Sequence, residues 1–315
     1  MTKHSGWSPE ELRKELVDLL LDFERKLASG GLRNQVKGLV PAHYLLWELG
    51  SSLISTDKSS ARDRILHYLL EYPDTVIEGE ELMVVAGISE WARRVRELRV
   101  QFGWPIMSGV TYQEMAKEEY VKDLSGQDIA NLRPDQYIML STGQDLEGAH
   151  RWNEANAIRN MKDIGVRARL LKYLRMNVGK LVTGEELRYL AKNRSEWARR
   201  VRELRTEFGW PVVTKQTGMP ELPVGTYLLE MDRQSHEHDR RISDQTRREV
   251  LRRDGYKCQV SECGWHISEY NRADPRILEL HHKVHHAEGG SNTVENLITL
   301  CNLCHDRVHA NSIQL

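Results

Sequence analysis

The sequence predicts a multidomain α+β protein, and three observations support this fold class. Its 315 residues are enough for two or three domains. A helical signature occurs twice in the middle of the chain, and six of the thirteen histidines and two of the four cysteines lie in one short run, 279–309. We therefore divide the chain into a helical region (1–58), two repeated units (59–142 and 160–232), a polar linker (233–244) and a C-terminal module (245–315).

Composition narrows the cellular setting of the protein. The mean hydropathy is -0.58, and apolar stretches such as LVDLLL (16–21) are far shorter than the roughly 20 residues of a membrane-spanning helix. The N-terminus, MTKHSGWSPEELRKEL, has charges where a signal peptide would have an apolar core. We expect an intracellular, cytoplasmic protein with no membrane partner. A net charge of -1 gives no sign of nucleic acid, although the 29% of charged residues leaves room for local basic faces.

The repeated units are copies of one structural element. SEWARRVRELRVQFGWPI (89–106) returns as SEWARRVRELRTEFGWPV (195–212) with three differences. Upstream, RDRILHYLL (62–70) aligns with RARLLKYLR (167–175), and GEEL occurs at 79–82 and 184–187. This alignment predicts three helical segments ahead of each signature.

The signature itself predicts an amphipathic helix. Ser89 is the expected N-cap, and an apolar stripe follows at helical spacing, formed by Trp91, Val95, Leu98 and Phe102. The helix should end at Gly103 or Gly209, and β-like tails follow at QYIML (136–140) and TYLLE (226–230). Helices followed by an arginine-rich helix and a hairpin resemble a winged helix, whose third helix enters the DNA major groove.

Four of the other positions of the signature helix hold arginines in each copy. They are Arg93, Arg94, Arg96 and Arg99 in the first copy and Arg199, Arg200, Arg202 and Arg205 in the second. A solvated face paired with Glu90 and Glu97 is one interpretation. The second interpretation is contact with double-stranded DNA. It is favoured because the same four-arginine helix occurs twice, each time followed by a hairpin, and because arginine pairs well with guanine edges and phosphates.

Two further features of the N-terminal half bear on recognition. The first copy has an insertion, GVTYQEMAKEEYVKDLSGQDIAN, between its β-like segments, which suggests that the two wings read different features of a DNA site. Ahead of both copies, LRNQVKGLVPAHYLLWELGSSL forms an amphipathic centre. It is interpreted either as a dimerisation element or as an additional DNA-contact region.

The cysteines of the C-terminal module predict a metal site. Cys258 and Cys263 have the spacing C-x4-C, and Cys301 and Cys304 have the spacing C-x2-C. In a reducing compartment such pairs indicate a metal before they indicate disulfides. A two-Cys, two-His finger needs about a dozen residues between its pairs, and His305 directly follows Cys304. Four thiolates satisfy a structural Zn2+ without any histidine.

The histidines are then available for chemistry. His281 and His282 are adjacent, so on a strand they point to opposite sides. His305 and His309 are four residues apart, so on a helix they share a face. One histidine of the first pair, together with His305, would hold a divalent cation, and its neighbour would deprotonate water. Hydrolysis of a phosphodiester requires this combination.

The run ELHHKVHHAEGGSNTVENLITLCNLCHDRVH (279–309), preceded by RRDGYKCQVSECG, resembles the HNH nuclease family with its ββα-metal fold, in the subgroup with a four-cysteine zinc. The resemblance covers about 245–310. It implies that His281 and His305 bind the catalytic Mg2+ or Mn2+, that His282 is the general base and that Asn296 orients the base. It also implies that His309 contacts the metal or the scissile phosphate. His285 and His286 have no counterpart in the family pattern.

Together these features predict a sequence-specific DNA endonuclease that resembles restriction enzymes, including those that cut modified DNA. A single HNH centre cleaves one strand at a time, so cutting of both strands favours a homodimer. A homing or mobile-element nuclease, a zinc-stabilised DNA-binding regulator without catalysis and a nuclease acting on RNA or structured DNA remain as alternatives.

Overall fold

The structure is a computed structural model that describes residues 6–29, 31–54, 60–118, 132–235, 237–266, 274–284, 289–310 and 312. It combines helices with small antiparallel sheets. The chain divides into two compact units, one formed by Met1–Val110 and Asn131–Trp152, the other by Thr111–Ala130 and Asn153–Leu315. The mixed helix and sheet content agrees with the predicted α+β class.

The predicted N-terminal helical region consists of helices α1 (Pro9–Ser29) and α2 (Leu32–Ser52), which pack against each other. At the start of α1, Ser8 accepts a hydrogen bond from the Glu11 amide, and Glu11 accepts one from the Ser8 amide. Leu12 and Leu45 are buried. Neither α1 nor α2, nor any other described helix, is both long and apolar enough to cross a membrane.

The first repeat contains α3 (Ala61–Glu71), β1 (Val76–Glu78), α4 (Gly79–Ala86) and α5 (Trp91–Arg96), which continues as a short π-helical segment, Glu97–Gln101. Strand β2 (Ile106–Ser108), helix α6 (Gly109–Ala116) and strand β3 (Gln136–Met139) follow. The strands form an antiparallel sheet in the order β1-β3-β2.

The second repeat has the same plan. After α7 (Leu146–Arg159) come α8 (Val166–Met176), β4 (Leu181–Thr183), α9 (Gly184–Leu190), α10 (Trp197–Thr206), β5 (Val212–Val213) and β6 (Thr226–Leu229), with sheet order β4-β6-β5. The prediction of three helical segments before each signature was wrong. Two helices and a short strand occupy that stretch, and a strand of three residues is too short to show an alternating pattern.

The apolar stripe of the signature lies in the core in both copies. Val95 and Leu98 are buried in the first, and Trp197, Val201 and Leu204 in the second. Gly103 and Gly209, which follow the helices, have φ values of 69° and 68°, a left-handed conformation that favours glycine. Ser89 is not the N-cap of α5, because Glu90 precedes the helix and makes no side-chain cap.

The described part of the insertion, helix α6, packs into a hydrophobic core. Tyr112 and Met115 of α6 are buried, and Glu114 accepts hydrogen bonds from Trp197 Nε1 at 2.7 Å and from Arg188 Nε at 2.9 Å. These residues all belong to the second compact unit. Helix α6 therefore contributes to the packing of the second unit, and the suggestion that the two wings read different features of a DNA site stays a prediction. Residues 119–131 of the insertion lie outside the described residues.

The C-terminal module consists of α11 (Asp244–Arg253), β7 (Leu278–His282), β8 (Leu297–Cys301) and α12 (Asn302–His309). Strands β7 and β8 are antiparallel, with Leu278 opposite Cys301 and His282 opposite Leu297. Helix α12 begins at the residue after β8, so strand, strand and helix follow the ββα order. Leu251, Leu280 and Leu300 are buried in the core of this module.

Candidate active site and metal centres

The ββα arrangement brings the histidines of two elements together. His281 and His282 end β7, while His305 and His309 lie one turn apart on α12. The chain between the strands is held close to β7: a Cβ at Gly290 would lie only 1.8 Å from the Val284 carbonyl oxygen. Glycine at this position therefore permits the close approach of the returning chain to β7.

Four side chains form a cluster that could hold a metal ion. Asp239, His281, His305 and His309 each offer one ligand atom, and these atoms lie within 4.8 Å of one another. Asp239 Oδ2 is 3.0 Å from His305 Nε2, 3.0 Å from His309 Nε2 and 4.0 Å from His281 Nδ1. All but His309 are buried.

The three imidazole rings of this cluster meet edge to face. Their centroids are 4.6 to 5.1 Å apart, and their planes differ by 74° to 84°. Several ring nitrogens can therefore point at one centre. Three nitrogens and one carboxylate oxygen are a donor set that fits a divalent cation, particularly a transition metal.

His282 lies on the other side of the same carboxylate. Its Nδ1 is 2.9 Å from Asp239 Oδ1, and its Nε2 is 2.7 Å from Asn292 Oδ1. The hydrogen bond to Asp239 raises the pKa of His282, against the opposing effect of burial. Asp239 thus contacts both the candidate metal ligands and the predicted general base.

A second carboxylate supports His305. Glu279 Oε2 is 3.0 Å from His305 Nδ1, so this ring has a carboxylate at each nitrogen. Burial lowers the pKa of His305, but the contacts with Asp239 and Glu279 outweigh it and raise the pKa to about 9. Burial likewise acts to raise the pKa of Asp239, yet its hydrogen bonds with His282 and His305 hold that pKa well below the usual range.

Asn296 does not contact the predicted base in this structure. Its Oδ1 accepts from the Val284 amide at 3.0 Å, and its Nδ2 donates to the carbonyls of Val284 at 3.0 Å and Ser291 at 2.9 Å. These bonds close the connection between β7 and β8. The partner of His282 from this connection is Asn292, so the expectation that Asn296 orients the base by a direct hydrogen bond is corrected.

The four cysteines form a second, separate cluster. Their sulfur atoms lie within 4.8 Å of one another, and none forms a disulfide. Cys263 Sγ and Cys301 Sγ are 3.8 Å apart, close to the spacing of sulfurs around a tetrahedral ion with metal–sulfur bonds of about 2.3 Å. Burial raises the pKa of both the Cys301 and the Cys304 thiols, so a cluster of thiolates requires a cation to neutralise it.

Asp239 is the functional candidate that sequence reasoning missed. It ends a short 3-10 helix, Glu237–Asp239, within the segment interpreted as a linker. From the same segment Arg233 pairs with Asp306 at 2.8 Å and lies 3.7 Å from Glu279. This segment is therefore a part of the site rather than a spacer. The only sequence signal was a run of histidines and carboxylates, HEHD, in a polar stretch.

The predicted DNA-contact arginines have different environments. Arg93 and Arg94 pair with Glu97, and Arg199 and Arg200 pair with Glu203. Arg202 pairs with Glu118 at 2.6 Å, Arg96 is exposed, and Arg99 lies 5.9 Å from the centre of the Tyr137 ring.

Arg205 is buried inside the second unit. It forms a double ion pair with Asp244, and its Nη1 donates to the Val212 carbonyl at 3.1 Å. Its predicted role in DNA contact is corrected to a packing role, because its guanidinium is already enclosed by protein. His285 and His286 lie outside the described residues.

Two protein-family models match parts of the chain. The model described as KpnI N-terminal domain matches residues 62–140 and 167–230, one segment in each repeat. The model described as HNH endonuclease matches residues 258–311, which include the four cysteines and the histidines of the candidate site. No curated protein and no solved structure matches the chain.

Proposed function

Because the chain carries an HNH endonuclease domain and a KpnI N-terminal domain, we propose that it is a sequence-specific DNA endonuclease of the restriction type that hydrolyses phosphodiester bonds. The observation that supports this most directly is the placement of His282 beside the cluster of Asp239, His281, His305 and His309. A candidate base and a candidate cation site then share one carboxylate.

In the proposed reaction His281, His305 and His309 hold the divalent cation. When bound, the cation offsets negative charge on the scissile phosphate and the leaving oxygen. Glu279 keeps the His305 ring oriented by accepting from Nδ1 while Nε2 faces the centre. Three imidazoles favour Mn2+ over Mg2+, since Mg2+ prefers oxygen ligands.

His282 acts as the base. With Nδ1 donating to Asp239 Oδ1, the neutral ring leaves Nε2 to accept the proton of a water that attacks phosphorus. In the structure Nε2 faces the acceptor Asn292 Oδ1, so the proposed step requires this contact to open and Nε2 to lose its proton before it can accept one from water. Asn296 supports this step indirectly. Its side chain forms hydrogen bonds with the backbone of Val284 and Ser291, and these bonds hold the connection between β7 and β8 that carries Asn292.

The cysteine cluster is proposed to hold a structural Zn2+. Cys301 ends β8 and precedes α12, and its sulfur accepts from the Cys304 amide at 3.5 Å. An ion bound there would fix the start of the helix that carries His305 and His309. Zinc would thus stabilise the geometry of the catalytic centre without taking part in the chemistry.

The two repeats are proposed to be winged-helix domains that bind double-stranded DNA. Each has two helices, a signature helix and an antiparallel sheet whose last strand lies in the middle, which supports this assignment. The proposed contacts are Arg93, Arg94, Arg96, Arg99, Arg199, Arg200 and Arg202. The exposed Arg93 and Arg199, which pair with Glu97 and Glu203, would exchange these partners for phosphate on binding.

A homodimer is proposed for cleavage of both strands, since one centre cuts one strand. Helices α1 and α2 expose large apolar side chains, which supports a role of this hairpin in the association of two copies. They include Leu20, Leu21, Leu27, Leu32, Val36 and Tyr44.

Digestion of methylated and unmethylated plasmids with Mn2+ or Mg2+, followed by sequencing of the ends, tests the proposal. Cleavage at a defined short site supports a restriction enzyme. Whether the methylated plasmid, the unmethylated plasmid or both are cut shows whether modification is required. A long asymmetric site would instead indicate a homing nuclease. No cleavage of any plasmid by protein that binds DNA would indicate a non-catalytic regulator.

A further inference from the structure

Asp239 has an environment that a solvated linker residue would not have. Its carboxylate is buried, and its ion pairs among the described residues are all with histidines. A buried carboxylate requires a compensating positive charge. Either protonated imidazoles or a cation can supply that charge.

The two oxygens of Asp239 face different partners. Oδ1 faces His282, while Oδ2 is 3.0 Å from both His305 Nε2 and His309 Nε2. Oδ2 therefore lies among the nitrogens that would bind the cation and belongs to the same group of potential ligand atoms. A cation that drew these nitrogens to bond distances of about 2.0–2.2 Å would have Oδ2 within reach as a further donor.

The second nitrogen of His305 has the partner that a metal-bound imidazole requires. Glu279 is 3.0 Å from Nδ1, so the proton of a neutral ring belongs there and Nε2 is left as a lone-pair donor. A carboxylate that orients a histidine in this way is the usual arrangement behind a metal-bound imidazole.

We propose that Asp239, supplied by the segment that joins the second repeat to the nuclease module, is the carboxylate ligand of the catalytic cation. This inference rests on the proposed function of the site. It makes the centre a three-histidine, one-aspartate site that is incomplete without the joining segment. Metal binding and the packing of Glu237–Asp239 then stabilise each other, because a ligand that binds only the folded arrangement shifts the equilibrium toward it.

The experiment uses the full chain with its cysteine site loaded with zinc, so that added Mn2+ reports only on the second centre. Mn2+ affinity is measured by calorimetry for the wild type, Asp239→Asn, Glu237→Gln and His305→Ala. Asp239→Asn keeps the shape of the side chain, and Glu237 is an exposed neighbour on the same 3-10 helix. Asp239→Asn and His305→Ala should weaken Mn2+ binding at least about tenfold, and Glu237→Gln should leave it unchanged. Wild-type affinity in Asp239→Asn would overturn the proposal.

A second measurement on the wild type covers the case in which Asp239→Asn fails to fold. Hydrogen exchange with and without Mn2+ should show slower exchange for peptides covering 237–240 and for peptides covering α12. Protection of α12 without protection of 237–240 would mean that the histidines bind Mn2+ alone. Cleavage by the wild type is assayed in parallel. Normal Mn2+ binding without cleavage would count against the nuclease function and leave the ligand assignment standing.

Discussion

Asp239 Oδ2 lies 3.0 Å from His305 Nε2, although 66 residues separate the two in sequence. The contact joins the segment after the second repeat to the last helix of the nuclease module. The candidate active site is therefore not contained in the ββα element alone.

His282→Ala should abolish cleavage and leave DNA binding nearly unchanged. The substitution removes the proposed proton acceptor without removing a phosphate contact, and loss of a general base typically costs roughly 10²- to 10⁴-fold in rate. Single-turnover cleavage and gel-shift affinity on the same DNA measure the two effects. An equal loss of both would show that His282 serves binding or folding rather than proton transfer.

Asn296→Ala should act on stability before it acts on chemistry. Its hydrogen bonds among the described residues all go to the backbone of Val284 and Ser291, so their loss should lower the free energy of unfolding by about 1–2 kcal/mol. Asn292→Ala provides the contrast, because it removes the group that faces His282 and should change cleavage more than stability. If Asn296→Ala keeps full stability but loses as much cleavage rate as His282→Ala, Asn296 orients the His282 base directly.

Cys301→Ser should lose the structural ion and unfold the C-terminal module. Cys301 is buried, precedes α12 and shares the cluster with three other thiols, and structural zinc contributes directly to folding. Zinc content by atomic absorption and thermal unfolding measure the effect. Leu303→Ser is the matched control, since this side chain is 52% exposed on the same helix. Full zinc content in Cys301→Ser would disprove the four-cysteine site.

Alanine substitution of two arginines, one from each signature helix, should have opposite effects on protein stability and on DNA affinity. Arg205→Ala leaves Asp244 without its buried partner and should destabilise the protein by about 3–5 kcal/mol. Arg96→Ala changes an exposed side chain and should leave stability intact while lowering DNA affinity by about 1–3 kcal/mol.

Urea unfolding and DNA titration of both variants separate the two effects, and Arg199→Ala, at an exposed position on the helix that carries Arg205, is the control for the unfolding measurement alone. Wild-type stability of Arg205→Ala would show that its ion pair does not hold the second unit together. Unchanged DNA affinity of Arg96→Ala, in turn, would argue against the first signature helix as a contact surface.

The elements with local periodic patterns were predictable from the sequence. The stripe from Trp91 to Leu98, the glycines that end the helices and the strand and helix that carry His281 and His305 each follow from residue spacing and backbone preference. The cysteine cluster also followed from spacing, because ligand pairs for one ion recur at short intervals.

Long-range contacts were not predictable in this way. Asp239 and Arg205 look like ordinary polar residues in the sequence, and only tertiary packing brings them to His305 and Asp244. Asn296 was assigned to the wrong partner because a motif fixes the order of residues and not the atoms they contact. In the insertion, Met115 is buried by the second unit, a partner that the pattern around it does not reveal.

Glu230 gives a prediction about pH. It follows β6 in a small cavity lined by Arg247, Leu251, Trp265 and Leu278. Burial raises the pKa of Glu230 to about 7, although Arg247 acts to lower it. Between its ordinary pKa of 4.5 and about 7, the folded chain holds a proton that the unfolded chain releases. The free energy of unfolding should therefore fall as pH rises through this window, by at most about 3 kcal/mol, and level off above it.

Glu230→Gln keeps the neutral shape of the side chain at every pH and should remove this slope, so that the variant is more stable than the wild type at pH 8 and similar to it at pH 5. Urea unfolding at pH 5, 6, 7 and 8 measures both proteins, and Glu207→Gln, an exposed position in the same unit, should retain the wild-type slope. If Glu230→Gln also retains it, other groups cause the pH dependence, and Glu230 stays ionised beside Arg247 in the folded protein.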